Sequence, residues 1–193
     1  MKLIIVRHGQ TEENANGIIQ GRSEGRLNEK GLEQARKIAL DLKDEKIDVI
    51  FSSDLRRAKD TTEEIAKFHD VPVHYTELLR ERSSGIFDGR PVAEMKKFRE
   101  ENNIPQEIFK PQSGESFLEV EKRLRTFMDN LYREYSNKTV LISTHGAVIR
   151  TLYSIYFHIP LAEAVRMKTT NTGVLVIEAT KSSAKKIKDK MFV

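Results

Sequence analysis

Apolar positions along the chain switch between a strand-like and a helix-like rhythm. Lys2–Val6 is a short β-branched run of the kind that forms a buried strand, and it passes directly into Arg7, His8, Gly9 and a polar stretch to Leu27. From Asn28, a suitable N-cap, the spacing becomes helical, with Leu32, Ala35, Ile38, Ala39 and Leu42 on one stripe, and predicts a helix to about Glu45. Asp48–Ser52 reads as a second buried strand and Leu55–His69 as a second helix, with Leu55, Ala58, Thr62, Ile65 and Ala66 facing inward. Pro72–Tyr75 predicts a short strand that its proline confines to a sheet edge.

Residues 82–115 break the rhythm. They are polar and punctuated by Gly85, Gly89, Pro91, Pro105, Pro111 and Gly114, with one helical patch near Val92–Asn103, and they read as an inserted lid. A longer amphipathic helix is expected over Ser116–Tyr135, whose Phe117, Val120, Leu124, Phe127, Met128 and Leu131 form a core stripe. Thr139–Ser143 predicts a further strand ending in Thr144, His145 and Gly146, followed by a helix over Ala147–Phe157 and a strand over Gly173–Glu178. This alternation predicts an α/β fold, a three-layer α/β/α sandwich with a mostly parallel central sheet, in a single domain over 1–193.

Charge changes the picture only at one end. The chain of 193 residues holds 33 Lys+Arg against 29 Asp+Glu. The excess sits in 181–193, a basic C-terminal tail with five lysines and one aspartate, which reads as a solvated or frayed end and not as a nucleic-acid site. The absence of cysteine excludes a disulfide framework, thiolate metal sites and a cysteine nucleophile, and fits a reducing, cytoplasmic setting. The longest apolar runs, Leu3–Val6 and Val174–Ile177, are far short of the roughly 20 residues of a membrane span, so no membrane partner is expected.

Three predicted strand ends release Arg7–His8–Gly9, Ser52–Ser53 with Arg56–Arg57, and His145–Gly146. Ligands of parallel α/β sheets bind beyond the carboxyl ends of the strands, so two histidines and at least one arginine would converge there. Guanidinium forks and helix N-termini suit an anion, phosphate above all. One histidine after a strand is ordinarily structural, but two in matched contexts with glycine and arginine point to a site. A neutral imidazole beside fixed positive charge is a nucleophile toward phosphorus. His69, His74 and His158 lack such a context and are expected to be structural or exposed. Two arginines at a helix start oppose the macrodipole, so at least one of Arg56 and Arg57 is expected to serve a ligand.

Arg7–His8–Gly9–Gln10–Thr11 with Asn14 resembles the Arg-His-Gly signature of the histidine phosphatase superfamily, the phosphoglycerate mutase-like family. Further landmarks follow in order. Gly31–Ala35 resembles its Gly-x-x-Gln-Ala, and Ser53–Thr61 its Ser-x-Leu-x-Arg-Ala-x-x-Thr, a spacing that selects Arg57 over Arg56. Leu79–Arg80–Glu81 with Gly85, Phe87 and Gly89 resembles the segment that carries the acid, and Thr144–His145–Gly146 with Arg150 the second histidine motif. The resemblance, which spans residues 2 to about 178, implies that His8 carries the phosphoryl group as phosphohistidine and that Glu81 protonates the leaving group. It further implies that Arg7, Arg57, His145 and Asn14 hold the phosphoryl oxygens, with no metal and no cofactor. Gln20, Gly21 and Gly146 are further candidates for substrate binding.

Some positions depart from the family pattern. Glu24–Gly25–Arg26–Leu27 replaces Asp-x-Pro-Leu, and Glu12 stands where an aromatic is usual, both at the expected pocket rim. The resemblance leaves a rival, a cofactor-dependent phosphoglycerate mutase primed by 2,3-bisphosphoglycerate. Glu81–Gly85 lacks that branch's His and Tyr, the lid is short, and Gly114–Glu115–Ser116 resembles the phosphatase branches, which favours a phosphatase. Lys96, Lys97 and Arg99 keep the mutase alternative open as possible holders of an acidic substrate. The lid's six basic and six acidic side chains balance, so the expected partner is a small phosphorylated metabolite and not a polyanion. A non-catalytic phosphate-binding module is the alternative of a different class.

Overall fold

The computed structural model describes residues 1–181 and 183–192. Six strands, β1 (Lys2–Arg7), β2 (Val49–Ser53), β3 (Val73–Thr76), β4 (Thr139–Thr144), β5 (Val174–Ala179) and β6 (Ala184–Asp189), form one sheet in the order β3-β2-β4-β1-β5-β6. β3, β2, β4 and β1 run parallel, whereas β5 and β6 are antiparallel additions. The proline-led strand β3 is at an edge, as expected. Helices α1 (Glu12–Ala15), α2 (Glu29–Leu42), α3 (Arg56–Ala66), α4 (Val92–Glu101), α5 (Phe117–Tyr135), α6 (Gly146–Phe157) and α7 (Leu161–Ala164) follow the chain order.

The period-two side-chain alternation of β1 divides the core. Leu3 and Ile5 face a cluster built with Val120, Leu124, Ile149 and Leu152 of α5 and α6. Ile4 and Val6 face the opposite layer, with Ile38, Ala39 and Leu42 of α2 and Ile65 of α3. This is the expected α/β/α arrangement. Asn28 caps α2 by accepting the Gly31 N–H at 2.9 Å, and Ser116 with Glu119 forms a capping box that starts α5. Both α2 and α3 stop about three residues before the expected ends, their last predicted residues turning into the following loops.

The basic tail is corrected. Ala184–Asp189 is an edge strand paired to β5, and Met191 beyond it is fully buried. Lys185, Lys186 and Lys188 leave only Ala184 and the exposed Ile187 as apolar positions, so the segment carries no apolar period to announce a strand. Among the described residues, no helix is long and apolar enough to cross a membrane.

Register decides where the site lies. Arg7 pairs with Thr144, and Ser52 and Val6 both pair with Ser143, so the carboxyl ends of β1, β4 and β2 finish at one level. The loops leaving them open on the same side of the sheet.

Candidate active site

A cavity of about 250 Å³ lies beyond those three strand ends. Arg7, His8, Asn14, Gln20, Gly21, Arg57 and Glu81, all candidates from the sequence, line it. His145 and Gly146 stand immediately behind this lining. The His145 ring centroid is 5.1 Å from that of His8, and Ala147, the residue after Gly146, is in the wall.

His8 follows β1 and is 2% exposed. Its Nδ1 lies 2.7 Å from the Gly9 carbonyl oxygen. A carbonyl only accepts, so Nδ1 carries hydrogen and donates, which leaves the Nε2 lone pair free on a neutral ring. Burial, aided by the Arg57 and Arg7 charges, pushes the imidazole well below its usual pKa and keeps it unprotonated. The His8 loop is held from several sides. The Gly9 N–H donates to Thr61 Oγ1 at 3.1 Å and the Gln10 N–H to Gln34 Oε1 at 2.9 Å. Gly31 permits α2 to touch this loop, since a Cβ there would lie 2.0 Å from the Gln10 carbonyl oxygen.

The arginines are anchored at one end and open at the other. Arg57 donates through Nη1 to the Ser23 carbonyl at 2.9 Å and through Nη2 to the Gly21 carbonyl at 2.8 Å, while its buried Nε has no partner. Gly21 adopts φ +50°, and a Cβ on it would run into the Asp88 carboxylate. Arg7 donates through Nη1 to the Thr169 carbonyl and likewise keeps a buried, unpartnered Nε. Burial pushes its guanidinium down to about 10, opposed by Glu81 and assisted by Arg150 and Arg57. His145 contacts Ser53 Oγ through Nε2 at 2.7 Å, and its Nδ1 is buried without a partner. Burial and the Arg57 charge push this imidazole well down too. Unpartnered buried donors at one place are costly unless a ligand supplies acceptors.

Asn14 shows how its amide is oriented. Its Oδ1 accepts from Asn171 Nδ2 at 3.2 Å and from the Thr11 N–H at 3.4 Å, so its Nδ2 is the group left for a ligand. Glu81 is held at the start of α6, where its Oε1 accepts from the Ala147 N–H at 3.1 Å and the Arg82 N–H at 2.9 Å. Helix N-termini favour negative charge.

Segment 82–115 supplies Arg82, Ser84, Val92, Met95 and Gln106 to the outer wall and is joined to Ile19 by two backbone hydrogen bonds. Arg82 and Arg150 both sit over the Phe117 ring, at 5.0 and 5.5 Å. Lys96, Lys97 and Arg99 do not line this cavity. Lys96 and Lys97 instead pair with Glu100 and Glu101 along the exposed face of α4, each at 3.7 Å. Arg56 likewise stays outside the cavity, its exposed side chain paired with Asp60, whereas Arg57 lines it. None of His69, His74 and His158 lines the cavity. Among the described residues, no cluster of three or more His, Asp or Glu side chains could hold a metal ion.

The sequence reading did not single out Ser53, Gln34 and Thr61 as individual supports, although all three stand inside motifs it quoted. Thr169 and Asn171 were missed altogether, lying in an irregular stretch before β5 with no periodic or spacing signal.

Comparison with known proteins finds relatives along nearly the whole chain. The family model for the histidine phosphatase superfamily (branch 1) matches residues 3–188. The chain is 38% identical over 163 residues to a metal-independent phosphoserine phosphatase of Arabidopsis thaliana, covering 79% of this chain and 67% of that protein. It is 32% identical over 181 residues to phosphoserine phosphatase 1 of Hydrogenobacter thermophilus, covering 92% and 86%. Among solved structures, a phosphoserine phosphatase mutant from Entamoeba histolytica in complex with phosphoserine superposes with a TM-score of 0.85 at 28% identity, covering 98% of this chain and 96% of that one.

Proposed function

The chain belongs to the histidine phosphatase superfamily (branch 1), and from that premise we propose that it is a metal-independent phosphomonoesterase acting on small phosphorylated metabolites through a phosphohistidine on His8. The observation that carries this reading is the pairing of a free Nε2 on neutral His8 with the orphaned buried nitrogens of Arg7, Arg57 and His145.

In the first step Nε2 of His8 attacks phosphorus, the N–P bond forms and the bond to the leaving oxygen breaks. Glu81, which takes up a proton as the negative charge of the phosphate group comes to lie beside it, gives that proton to the leaving oxygen, and the product alcohol departs. Arg7, Arg57, His145 and Asn14 hold the three remaining oxygens and oppose the charge that spreads over them. Gln20 and Gly21 belong to the turn that seats Arg57, and Gly146 begins the helix whose amide receives Glu81. In the second step the Glu81 carboxylate takes a proton from water, the water oxygen attacks phosphorus, and the N–P bond breaks. Inorganic phosphate leaves, and His8 and Glu81 are restored. The fixed guanidinium charge makes a metal or organic cofactor unnecessary to this scheme.

The relatives' names include phosphoserine phosphatases, so phosphoserine heads the panel of candidate substrates. The deciding experiment is phosphorus NMR of the protein in EDTA with phosphoserine, p-nitrophenyl phosphate, and 3-phosphoglycerate plus a trace of 2,3-bisphosphoglycerate, with His8→Ala as control. Inorganic phosphate released only when His8 is intact supports the proposal. Formation of 2-phosphoglycerate faster than phosphate would make the protein a mutase, and saturable binding with no turnover would make it a phosphate-binding module.

A further inference from the structure

Arg123 lies on α5, outside the cavity lining, with a side chain 12% exposed. Its guanidinium is committed to the backbone that carries Glu81. Nη1 donates to the Leu78 carbonyl, and Nη2 donates to the Arg80 carbonyl at 2.7 Å and more weakly to the Glu81 carbonyl at 3.4 Å. The intervening Leu79 carbonyl accepts from Thr144 Oγ1 at 2.8 Å. Every carbonyl from Leu78 to Glu81 is therefore held by a side chain, three of the four by one arginine. Only a planar fork with several donors can do this.

The charge of Arg123 is met by Glu115, whose Oε1 accepts from Nε at 3.2 Å. Glu115 has two further tasks. Its Oε2 accepts the Ser83 N–H at 3.1 Å, two residues beyond Glu81, and its Oε1 meets Arg22 at 2.9 Å, in the turn whose Gly21 and Ser23 carbonyls seat Arg57. One ion pair thus joins the acid segment to the phosphate turn.

We propose that Arg123, paired with Glu115, is the positioning residue for the Glu81 proton donor and holds it in register with the Arg57 turn. This inference rests on the reading of Glu81 as the donor to the leaving oxygen. A reacting group displaced by 1 Å can lose about 100-fold in rate, and general acid catalysis matters most when the leaving group is a poor one. A residue that supports the fold alone would lower activity toward all substrates together.

The test measures kcat and KM on phosphoserine, which has a poor alkoxide leaving group, and on p-nitrophenyl phosphate, which needs little protonation. Arg123→Gln is expected to lose about 100-fold in kcat on phosphoserine and less than about 3-fold on p-nitrophenyl phosphate, with KM little changed. Equal losses on both, or no loss on either, would overturn the proposal. If Arg123→Gln does not fold, Glu115→Gln decides in its place, with an expected selective loss of about 10-fold on phosphoserine. Glu81→Gln is assayed in parallel. A Glu81→Gln variant without leaving-group selectivity removes the donor reading and this inference with it, whereas a selective Glu81→Gln beside a non-selective Arg123→Gln overturns this inference alone.

Discussion

Ser53 Oγ lies 2.7 Å from Nε2 of His145 and accepts the Leu55 N–H at 3.3 Å. Among the described residues no other acceptor takes the Ser53 hydroxyl hydrogen, so it is directed at Nε2 of the neutral imidazole and Nδ1 is the hydrogen-bearing nitrogen. Nδ1 is the atom of His145 that is buried without a partner. Ser53 therefore selects the tautomer that can donate to a phosphoryl oxygen.

Ser53→Ala removes that selection and strands a buried ring nitrogen. The expected loss is about 1–3 kcal/mol of stability and about tenfold in kcat/KM. Thermal melts and steady-state kinetics on one phosphomonoester measure both, and an unchanged kcat/KM would show that the tautomer is set by something else.

The catalytic candidates were legible because each lies within a few residues of a strand's carboxyl end, where a change from apolar to charged residues marks the site. Supporting residues were harder to read. Arg123 stands on α5 beside the core residues Val120 and Leu124, and its carbonyl partners are 42 to 45 positions away, so from spacing alone it resembles a solvated charge. Asn171 and Thr169 act through one side chain and one carbonyl in an irregular stretch. The lysines of β6 hid a strand that backbone pairing alone defines. Lys96 and Lys97 misled in the opposite way, since an i,i+4 acidic partner satisfies each on the helix surface.

Acid should unfold this protein earlier than its net charge suggests. His8 and His145 are both buried and both held well below their usual pKa, chiefly by desolvation. Below the unfolded-state value of about 6.5, the unfolded chain binds protons that the native chain refuses, so stability falls as pH falls. Each histidine contributes a slope of up to about 1.4 kcal/mol per pH unit in that range. Melting temperatures between pH 7.5 and pH 5 are expected to show this decline, with a shallower slope in His8→Asn. An identical slope in the variant would mean that His8 does not resist protonation.

Arg57 and Arg56 are adjacent and equally charged, yet their substitution should differ sharply. Arg57 is 1% exposed and uses two nitrogens on the Ser23 and Gly21 carbonyls, with Nε left over. A lysine cannot keep both anchors and still point a donor into the cavity. Arg57→Lys is expected to lose at least about 100-fold in kcat/KM. Arg56→Ala removes only the pair between the exposed Arg56 side chain and Asp60, worth no more than about 1 kcal/mol, and should stay within about twofold in kcat/KM. Parallel kinetics on the two variants check the assignment, and similar losses in both would contradict it.

Gly31 gives the most stringent test of how the nucleophile loop is held. It is the third residue of α2, where alanine would ordinarily favour the helix by roughly 1 kcal/mol. Here its α-carbon packs against the main chain that follows His8. A Cβ would lie 2.0 Å from the Gln10 carbonyl oxygen and 2.9 Å from the Gln10 nitrogen, and these are backbone atoms that cannot rotate away. The same loop is tied to α2 by Gln34, so the helix and the loop can separate only by breaking the Gln10 N–H hydrogen bond at 2.9 Å. Gly31→Ala is thus expected to cost about 1–3 kcal/mol, reversing the sign that helix propensity predicts, and to lower kcat through displacement of His8. Gly17→Ala is the useful contrast. Its added carbon would meet no atom within 4 Å, and the strain of φ +66° alone should cost about 1 kcal/mol with no effect on kcat. Denaturant melts and kcat for the two variants distinguish backbone collision from loss of glycine's conformational freedom, and a Gly31→Ala variant as stable as the parent would mean that α2 can shift without moving the nucleophile.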